Sequence, residues 1–142
     1  MFRLLLLIIG GALGTLARYG LNGVISAHQS KHFPLVAVFP LGTLVINVTG
    51  CFAIGVIAAV SGPAAGRVWI KPEWRDFLMV GFCGGYTTFS SYGLQTLNLA
   101  RDAEWLGVAL NILGSNVLGL LATWLGWVGG RLFQSRFHGG TL

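Results

Sequence analysis

Hydrophobic residues fall into four long runs separated by short polar stretches. The runs cover approximately residues 4–25, 40–60, 77–97 and 105–128. A run of about 20 residues is long enough for an α-helix to cross a hydrocarbon core about 30 Å thick. The pattern predicts an all-α membrane protein in which residues 1–142 form a single domain with four transmembrane helices. The polar stretches 28–34 and 101–104 are predicted to be loops.

The third run differs from the others because polar residues interrupt its middle. This stretch contains two glycines, four hydroxyl side chains and three aromatic rings, in the order Gly84-Gly85-Tyr86-Thr87-Thr88-Phe89-Ser90-Ser91-Tyr92. Non-helical backbone within a membrane is tolerated only where it is buried in protein or lines a water-filled cavity. Broken helices of this kind commonly hold ions on their freed carbonyl groups. We therefore expect a break in the third helix and a role in ion handling.

Composition supports a membrane setting. Of the 142 residues, 54% are hydrophobic and 9% are charged, whereas about 25% are charged in an average soluble domain. The net charge of +5 comes from basic residues scattered over the loops and ends, so it does not indicate nucleic-acid binding. With four spans, one side of the membrane holds six basic residues, namely Arg3, Arg67, Lys71, Arg75, Arg131 and Arg136. This bias predicts that both termini are cytoplasmic.

Hydrogen-bond donors recur at helical spacing inside the second and fourth runs. Thr43 and Asn47 are four residues apart, and the same step relates Asn111, Ser115, Gly119 and Thr123. Hydroxyl and amide groups donate hydrogen bonds, so donors that face a pore would suit an anion. The alternative is hydrogen bonding between helices. That alternative is favoured for Thr43, whereas an amide in the middle of a span favours a functional role for Asn47.

Small residues at the same spacing mark the first run. Gly10 and Gly14 are four residues apart, and Arg18 continues the series. Small residues so placed let membrane helices approach closely. Arg18 therefore faces protein or a hydrated vestibule rather than lipid, where an arginine would be costly. Two roles stay open for Arg18. One is structural, in which it caps carbonyls or reaches the headgroups, and the other is to attract anions.

Two aromatic rings follow the interruption in the third run. Phe89 and Tyr92 are three residues apart and share a helix face. Aromatic rings have a positive edge, so edges that face a narrow path can stabilise a small anion. Aromatic residues in membrane helices also serve simply as packing residues, and only the adjoining interruption favours the functional interpretation.

Chemistry that is missing from the sequence narrows the function further. The four carboxylates, Glu73, Asp76, Asp102 and Glu104, lie at or beyond the ends of the runs, so none is a proton carrier in mid-membrane. Cys51 and Cys83 lie within runs and have neither a disulfide framework nor metal-ligand spacing. No nucleophile–base pair or metal-binding motif is present. A passive pore is favoured over an enzyme or a proton-coupled exporter.

Three motifs in order resemble the CrcB/Fluc fluoride channels over almost the whole chain. They are Gly10-Gly11-Ala12-Leu13-Gly14 with Arg18-Tyr19; Gly42-Thr43-Leu44-Val45-Ile46-Asn47-Val48-Thr49-Gly50; and Gly81-Phe82-Cys83-Gly84-Gly85-Tyr86-Thr87-Thr88-Phe89-Ser90-Ser91. The resemblance implies an antiparallel, dual-topology homodimer of four-helix subunits in the bacterial inner (cytoplasmic) membrane. Such a dimer would export fluoride passively through two pores.

The resemblance also implies roles for particular residues. Main-chain carbonyls of Gly84 and Thr87 would bind a central sodium ion that is structural and not transported. The fluoride pathway would be lined by Asn47, Phe89, Tyr92, Ser115, Thr88 and Thr43. Arg18 would lie near a vestibule.

The chain departs from the family pattern at two of these places. Tyr92 stands where a second phenylalanine is usual, so its hydroxyl would either donate to fluoride or narrow the path. Asn111 stands where a tyrosine is common in the fourth span. The charge bias leaves open an oppositely oriented partner chain. The alternative function is a small dual-topology drug or cation exporter, against which the lack of a buried carboxylate argues, and a non-transporting scaffold would not need the polar interruption.

Overall fold

The computed structural model describes residues 1–32, 38–62 and 70–138. The helices in this part of the chain are α1 (Phe2–His32), α2 (Leu41–Ser61), α3 (Pro72–Asp76), α4 (Gly84–Tyr86), α5 (Phe89–Arg101) and α6 (Trp105–His138). A π-helical segment, Phe77–Cys83, joins α3 to α4 without a gap. The prediction of an all-α protein is confirmed for the described residues.

Three helices among the described residues are long and apolar enough to cross a membrane, and these are α1, α2 and α6. The chain between α2 and α6 follows a different course. It is helical from Pro72 to Tyr86, extended at Thr87 and Thr88, and helical again from Phe89. The interruption divides this course into two shorter helical pieces, each below the length of the other three.

The first helix is longer than its hydrophobic run. Residues 28–32 were predicted to be part of a loop, but α1 continues to His32, so that part of the prediction is wrong. The basic residues Lys31 and His32 occupy the last turn, where positive charge interacts favourably with the helix dipole. The buried Gln29 also ties this end to the start of α2, because its Nε2 donates to the Phe39 carbonyl at 2.9 Å.

Glycines set the distance between α1 and the π-helical segment. A Cβ atom added at Gly10 would lie 2.7 Å from the Phe77 carbonyl oxygen, and one at Gly14 would collide with the Phe82 carbonyl. Both glycines are buried. The prediction that this series lets two helices approach closely is confirmed, and the same device brings α2 against α6, where Gly126 meets the Phe52 carbonyl.

Large apolar side chains cover much of the outer surface. Ile8 and Leu16 on α1 and Leu120 on α6 are each about two-thirds exposed or more. Surfaces of this kind are buried in a membrane by lipid or by other subunits. An ion pair joins α1 to α3, where Arg3 Nη2 lies 3.1 Å from Glu73 Oε1. A bond from its own backbone N–H and the bond from Arg3 hold the pKa of Glu73 below its ordinary value.

Candidate ion-binding cavity at the helix break

The backbone leaves the helical conformation at two consecutive threonines. Thr87 has ψ 160° and Thr88 has φ −150° and ψ 114°, both extended. Thr88 then starts α5, because its Oγ1 accepts a hydrogen bond from Ser91 N at 3.2 Å. A threonine side chain at this position satisfies one of the N–H groups that every helix start leaves without an intrahelical partner. We call Thr87 and Thr88 the helix break.

Carbonyl groups at the end of α4 lose their helical donors at the break, and other groups replace some of them. The Cys83 carbonyl keeps its helical donor, the Thr87 N–H, and also accepts from Thr87 Oγ1, both at 2.9 Å. The Gly85 carbonyl accepts from Arg18 Nε at 3.2 Å and from Thr15 Oγ1 at 3.5 Å. Arg18 thus caps a freed carbonyl, which is the first of the two roles considered for it.

Asn47 replaces the helical partners of Thr88. Its Nδ2 donates to the Thr88 carbonyl, and its Oδ1 accepts from the Thr88 N–H. An amide carries a donor and an acceptor side by side, so one side chain of α2 satisfies both backbone groups of an extended residue. The predicted functional amide is therefore also the structural clasp of the break.

Two carbonyls at the break are left over. Among the described residues, no hydrogen bond that ends on the carbonyl oxygen of Gly84 or Thr87 is found. Thr88 N–H, which would bond Gly84 in a continuous helix, donates to Asn47 instead. Freed carbonyls of this kind are the groups that coordinate sodium in broken membrane helices.

A cavity of about 310 Å³ opens at the break. Seven of the predicted site residues line it, namely Asn47, Gly84, Thr87, Thr88, Phe89, Tyr92 and Ser115. The other lining residues are Gly50, Cys51, Ile54, Met79, Cys83 and Asn116. We call this space the break cavity. The tertiary structure brings together residues of α2, of the interrupted segment and of α6, which lie far apart in the sequence.

The break cavity has neutral polar groups and no ionisable carboxylate or base among its described lining residues. Asn47, Thr88 and Ser115 supply amide and hydroxyl groups, and Phe89 and Tyr92 supply aromatic rings. The two rings are 5.3 Å apart between centroids and tilted by 42°. Such a surface can replace part of the hydration shell of a small ion without trapping it as a fixed charge would.

Two predicted site residues lie outside the break cavity. Thr43 is 4% exposed and is not among the lining residues, which agrees with the packing role that was favoured for it. Arg18 lies on α1 and reaches the break through the Gly85 carbonyl. Whether it also attracts anions stays a prediction.

Asn116 lines the break cavity, although sequence reasoning did not include it in the pathway. Its Nδ2 donates to the Ile112 carbonyl at 2.7 Å and lies 3.5 Å from the Tyr92 hydroxyl. It sits next to the polar stripe of α6, and since each four-residue step overshoots a full turn, the stripe winds around the helix. The winding of this stripe was the feature of the sequence that could have indicated a role for Asn116. Asn111, by contrast, is fully buried between α5 and α6.

Comparison with known proteins places these features in one family. The family model described as "CrcB-like protein, Camphor Resistance (CrcB)" matches residues 5–127. Curated relatives include a protein of Rhodospirillum rubrum, 49% identical over 88% of this chain and 92% of its own length. A protein of Paramagnetospirillum magneticum is 50% identical over 87% and 91%, and one of Opitutus terrae is 46% identical over 84% and 86%. All three are called "Fluoride-specific ion channel FluC".

Proposed function

The chain belongs to the CrcB-like family, and from this membership we propose that it is a fluoride-selective ion channel that lets fluoride leave the bacterial cytoplasm passively. It is a multi-pass membrane protein and not an enzyme. Passive export through the cytoplasmic membrane would lower the cytoplasmic fluoride concentration whenever the external concentration is lower.

The break cavity is the observation that carries this proposal. Fluoride is a small, strongly hydrated anion, so a selective path has to replace its water with hydrogen-bond donors. The cavity is lined by Asn47, whose amide has a second N–H besides the one bonded to Thr88, and by the rings of Phe89 and Tyr92. Ser115 also lines it, and its hydroxyl can donate to an ion when it turns away from Asn111. Conduction also requires that an ion can leave, and neutral donors hold an anion less tightly than a lysine or an arginine would.

Four spans per subunit follow if the interrupted segment is counted as one of them. Residues 77–97 would then be the third span, as predicted, with the helix break near its middle. Support for this comes from packing, because α1 contacts the π-helical segment and α4 through Gly10, Gly14 and Gly85. The segment is thus held beside a long apolar helix.

An antiparallel, dual-topology homodimer is the assembly we propose. Phe89 lines the break cavity and is nevertheless 82% exposed in a single chain, so one face of its surroundings is open to a second subunit. With opposite orientations, the two subunits would place equivalent cavities side by side and form two pores. The bias of basic residues leaves an oppositely oriented partner chain as the alternative.

A structural sodium ion fits the residues of the break. The carbonyls of Gly84 and Thr87 have no hydrogen-bond donor among the described residues, so both lone pairs of each oxygen are available to a cation. One such pair from each subunit would hold sodium between the subunits. When bound, the ion supplies a fixed positive charge that neutralises freed carbonyl dipoles, while this chain's own residues donate to fluoride.

A small drug or cation exporter is the alternative function. Export of a cation against its gradient requires a group in the membrane that exchanges the cation for protons, and such groups are usually carboxylates. The described lining of the break cavity contains none. The cavity therefore favours the channel.

Ion efflux from liposomes tests the function. Purified protein is reconstituted into liposomes loaded with the potassium salt of fluoride or of chloride. A potassium ionophore then lets K⁺ leave together with the anion, so that no opposing voltage stops the efflux. We expect fluoride efflux well above that of empty liposomes and chloride efflux close to background. No fluoride efflux would overturn the channel, and equal chloride efflux would overturn the selectivity.

Sodium dependence of dimer assembly tests the structural ion. Dimer fraction in detergent is measured in sodium and in N-methylglucamine buffers at equal ionic strength. We expect the dimer to dissociate already at higher protein concentration without sodium than with it, while sodium efflux from liposomes stays at background. A dimer that is indifferent to sodium would contradict the site.

A further inference from the structure

Asn111 lies in the middle of a hydrogen-bond chain that starts at the backbone of α5 and ends in the break cavity. Thr96 Oγ1 donates to the Tyr92 carbonyl at 2.8 Å, and Asn111 Nδ2 donates to Thr96 Oγ1 at 2.8 Å. Ser115 Oγ donates to Asn111 Oδ1 at 3.5 Å. Asn111 is fully buried, with 0% of its surface exposed.

Once the Thr96 hydroxyl donates to the Tyr92 carbonyl, counting hydrogens gives the direction of the other two bonds. A hydroxyl has a single hydrogen, and Thr96 uses it on the Tyr92 carbonyl, which can only accept. Thr96 must therefore accept from Asn111, so the amide nitrogen faces Thr96 and the amide oxygen faces Ser115. Towards this oxygen Ser115 has only one role, which is to donate its hydrogen.

This direction has a consequence for the break cavity, which Ser115 lines. While its hydrogen points to Asn111, Ser115 presents oxygen lone pairs to the cavity, and these repel an anion. At 3.5 Å the bond to Asn111 is longer than the usual range for a hydroxyl donor, so it costs little to turn the hydroxyl away. Ser115 thus has two acceptors for one hydrogen, the buried amide and an ion in the cavity.

We propose that Asn111 is a positioning residue that competes with fluoride for the Ser115 hydrogen and so keeps fluoride binding in the cavity weak. The inference rests on the proposed channel function. It gives a reason for a buried amide next to a conducting path, since a channel needs sites that bind an ion well enough to admit it and weakly enough to release it. Thr96 acts with Asn111, because it holds the amide in the competing orientation.

Concentration dependence of fluoride efflux separates this role from a merely structural one. Thr96→Val is nearly isosteric and removes the acceptor that orients the amide, so the amide can turn its nitrogen to Ser115 and release the Ser115 hydrogen. Asn111→Leu removes the competing acceptor outright. In both variants we expect the fluoride concentration at half-maximal efflux to fall by roughly two- to fourfold, in keeping with the loss of one weak neutral hydrogen bond.

Two controls make the expectation specific. In a Ser115→Ala background the substitution Thr96→Val should leave the half-maximal concentration unchanged, because no hydroxyl hydrogen remains to be released. Thr123→Val changes a threonine of α6 that bonds the Gly119 carbonyl and does not line the break cavity, and it should also have no effect. Asn111→Leu can fail to fold, so the result for Thr96→Val decides the question. Size-exclusion elution checks that this variant still assembles.

The outcomes distinguish the inference from the function on which it rests. If wild-type protein shows no fluoride efflux, the channel is overturned and the role of Asn111 falls with it. If wild-type protein conducts but Thr96→Val leaves the half-maximal concentration unchanged or raises it, the role of Asn111 alone is overturned. A shift that persists in the Ser115→Ala background also overturns it, because the effect would then not pass through Ser115.

Discussion

The side chain of Asn47 forms two hydrogen bonds with the backbone of Thr88. Its Nδ2 donates to the Thr88 carbonyl at 3.1 Å, and the Thr88 N–H donates to its Oδ1 at 2.9 Å. One of the two Nδ2 hydrogens is used in the bond to the Thr88 carbonyl. The other is left for the break cavity, which Asn47 lines. A single residue thus stabilises the helix break and offers a donor beside it.

We expect Asn47→Leu to lower both stability and fluoride flux. Two hydrogen bonds to otherwise unpaired backbone groups are lost, at about 1 kcal/mol each, so the free energy of unfolding should fall by about 2 kcal/mol. Thermal unfolding in detergent and liposome efflux measure the two effects. Asn98→Leu, the same change at an exposed position of α5, should alter stability by less than about 0.5 kcal/mol. If the free energy of unfolding of Asn47→Leu equals that of the wild type, the two hydrogen bonds to Thr88 do not contribute to stability.

Close packing at Gly14 gives a second prediction. A Cβ atom there would collide with the Phe82 carbonyl and the Tyr86 backbone nitrogen, so Gly14→Ala must push α1 away from the segment that carries the break. We expect a loss of about 1–3 kcal/mol in unfolding free energy, as for other overpacked sites, and a loss of fluoride flux. Gly20→Ala on the same helix, where a Cβ meets nothing within 4 Å, is the control. If Gly14→Ala and Gly20→Ala have equal unfolding free energies, the close contact between Gly14 and the Phe82 carbonyl is contradicted.

Arg18 allows its two possible roles to be separated. Its Nε donates to the Gly85 carbonyl at 3.2 Å. Arg18→Gln keeps a donor but removes the charge, whereas Arg18→Ala removes both. If carbonyl capping is its main role, Arg18→Gln should have a melting temperature and a fluoride flux close to those of the wild type. Arg18→Ala should lose about 1 kcal/mol of unfolding free energy. Flux that falls equally in both variants, and that depends less on ionic strength than wild-type flux, would indicate anion attraction instead.

The paired rings of Phe89 and Tyr92 give a prediction about the path itself. Phe89→Leu removes a ring edge and should reduce fluoride flux about tenfold or more if an edge-on ring contact worth about 1.4 kcal/mol is lost from the path. Tyr92→Phe keeps the ring and loses only the hydroxyl, which lies 3.5 Å from Asn116 Nδ2, so it should keep at least about half of the flux. Both dimers should stay intact by size-exclusion elution. A larger loss in Tyr92→Phe than in Phe89→Leu would make the hydroxyl the more important group.

Several features of the site could be predicted from the sequence because they depend on neighbours along the chain. The Gly10–Gly14 series predicted a close helix contact, and both residues meet backbone carbonyls of the π-helical segment. Phe89 and Tyr92, three residues apart, are indeed neighbours. The loop predicted for residues 28–34 was wrong over residues 28–32, because polar residues at the end of a membrane helix also suit its last turn, where Lys31 and His32 lie. Residues 33 and 34 lie outside the described residues.

Partners across the fold could not be predicted in this way. Asn47 reaches Thr88 over 41 positions, and Arg18 reaches Gly85 over 67. The sequence by itself determined a helical membrane protein of a fluoride-channel family, because span length, residue type and short motifs are local properties. Only the tertiary structure decided which donors are already used, since a side chain's hydrogens go to whichever acceptors the packing of the helices brings within about 3 Å. Within the described part of the chain, this packing leaves the Gly84 and Thr87 carbonyls without donors and directs the Ser115 hydrogen towards Asn111.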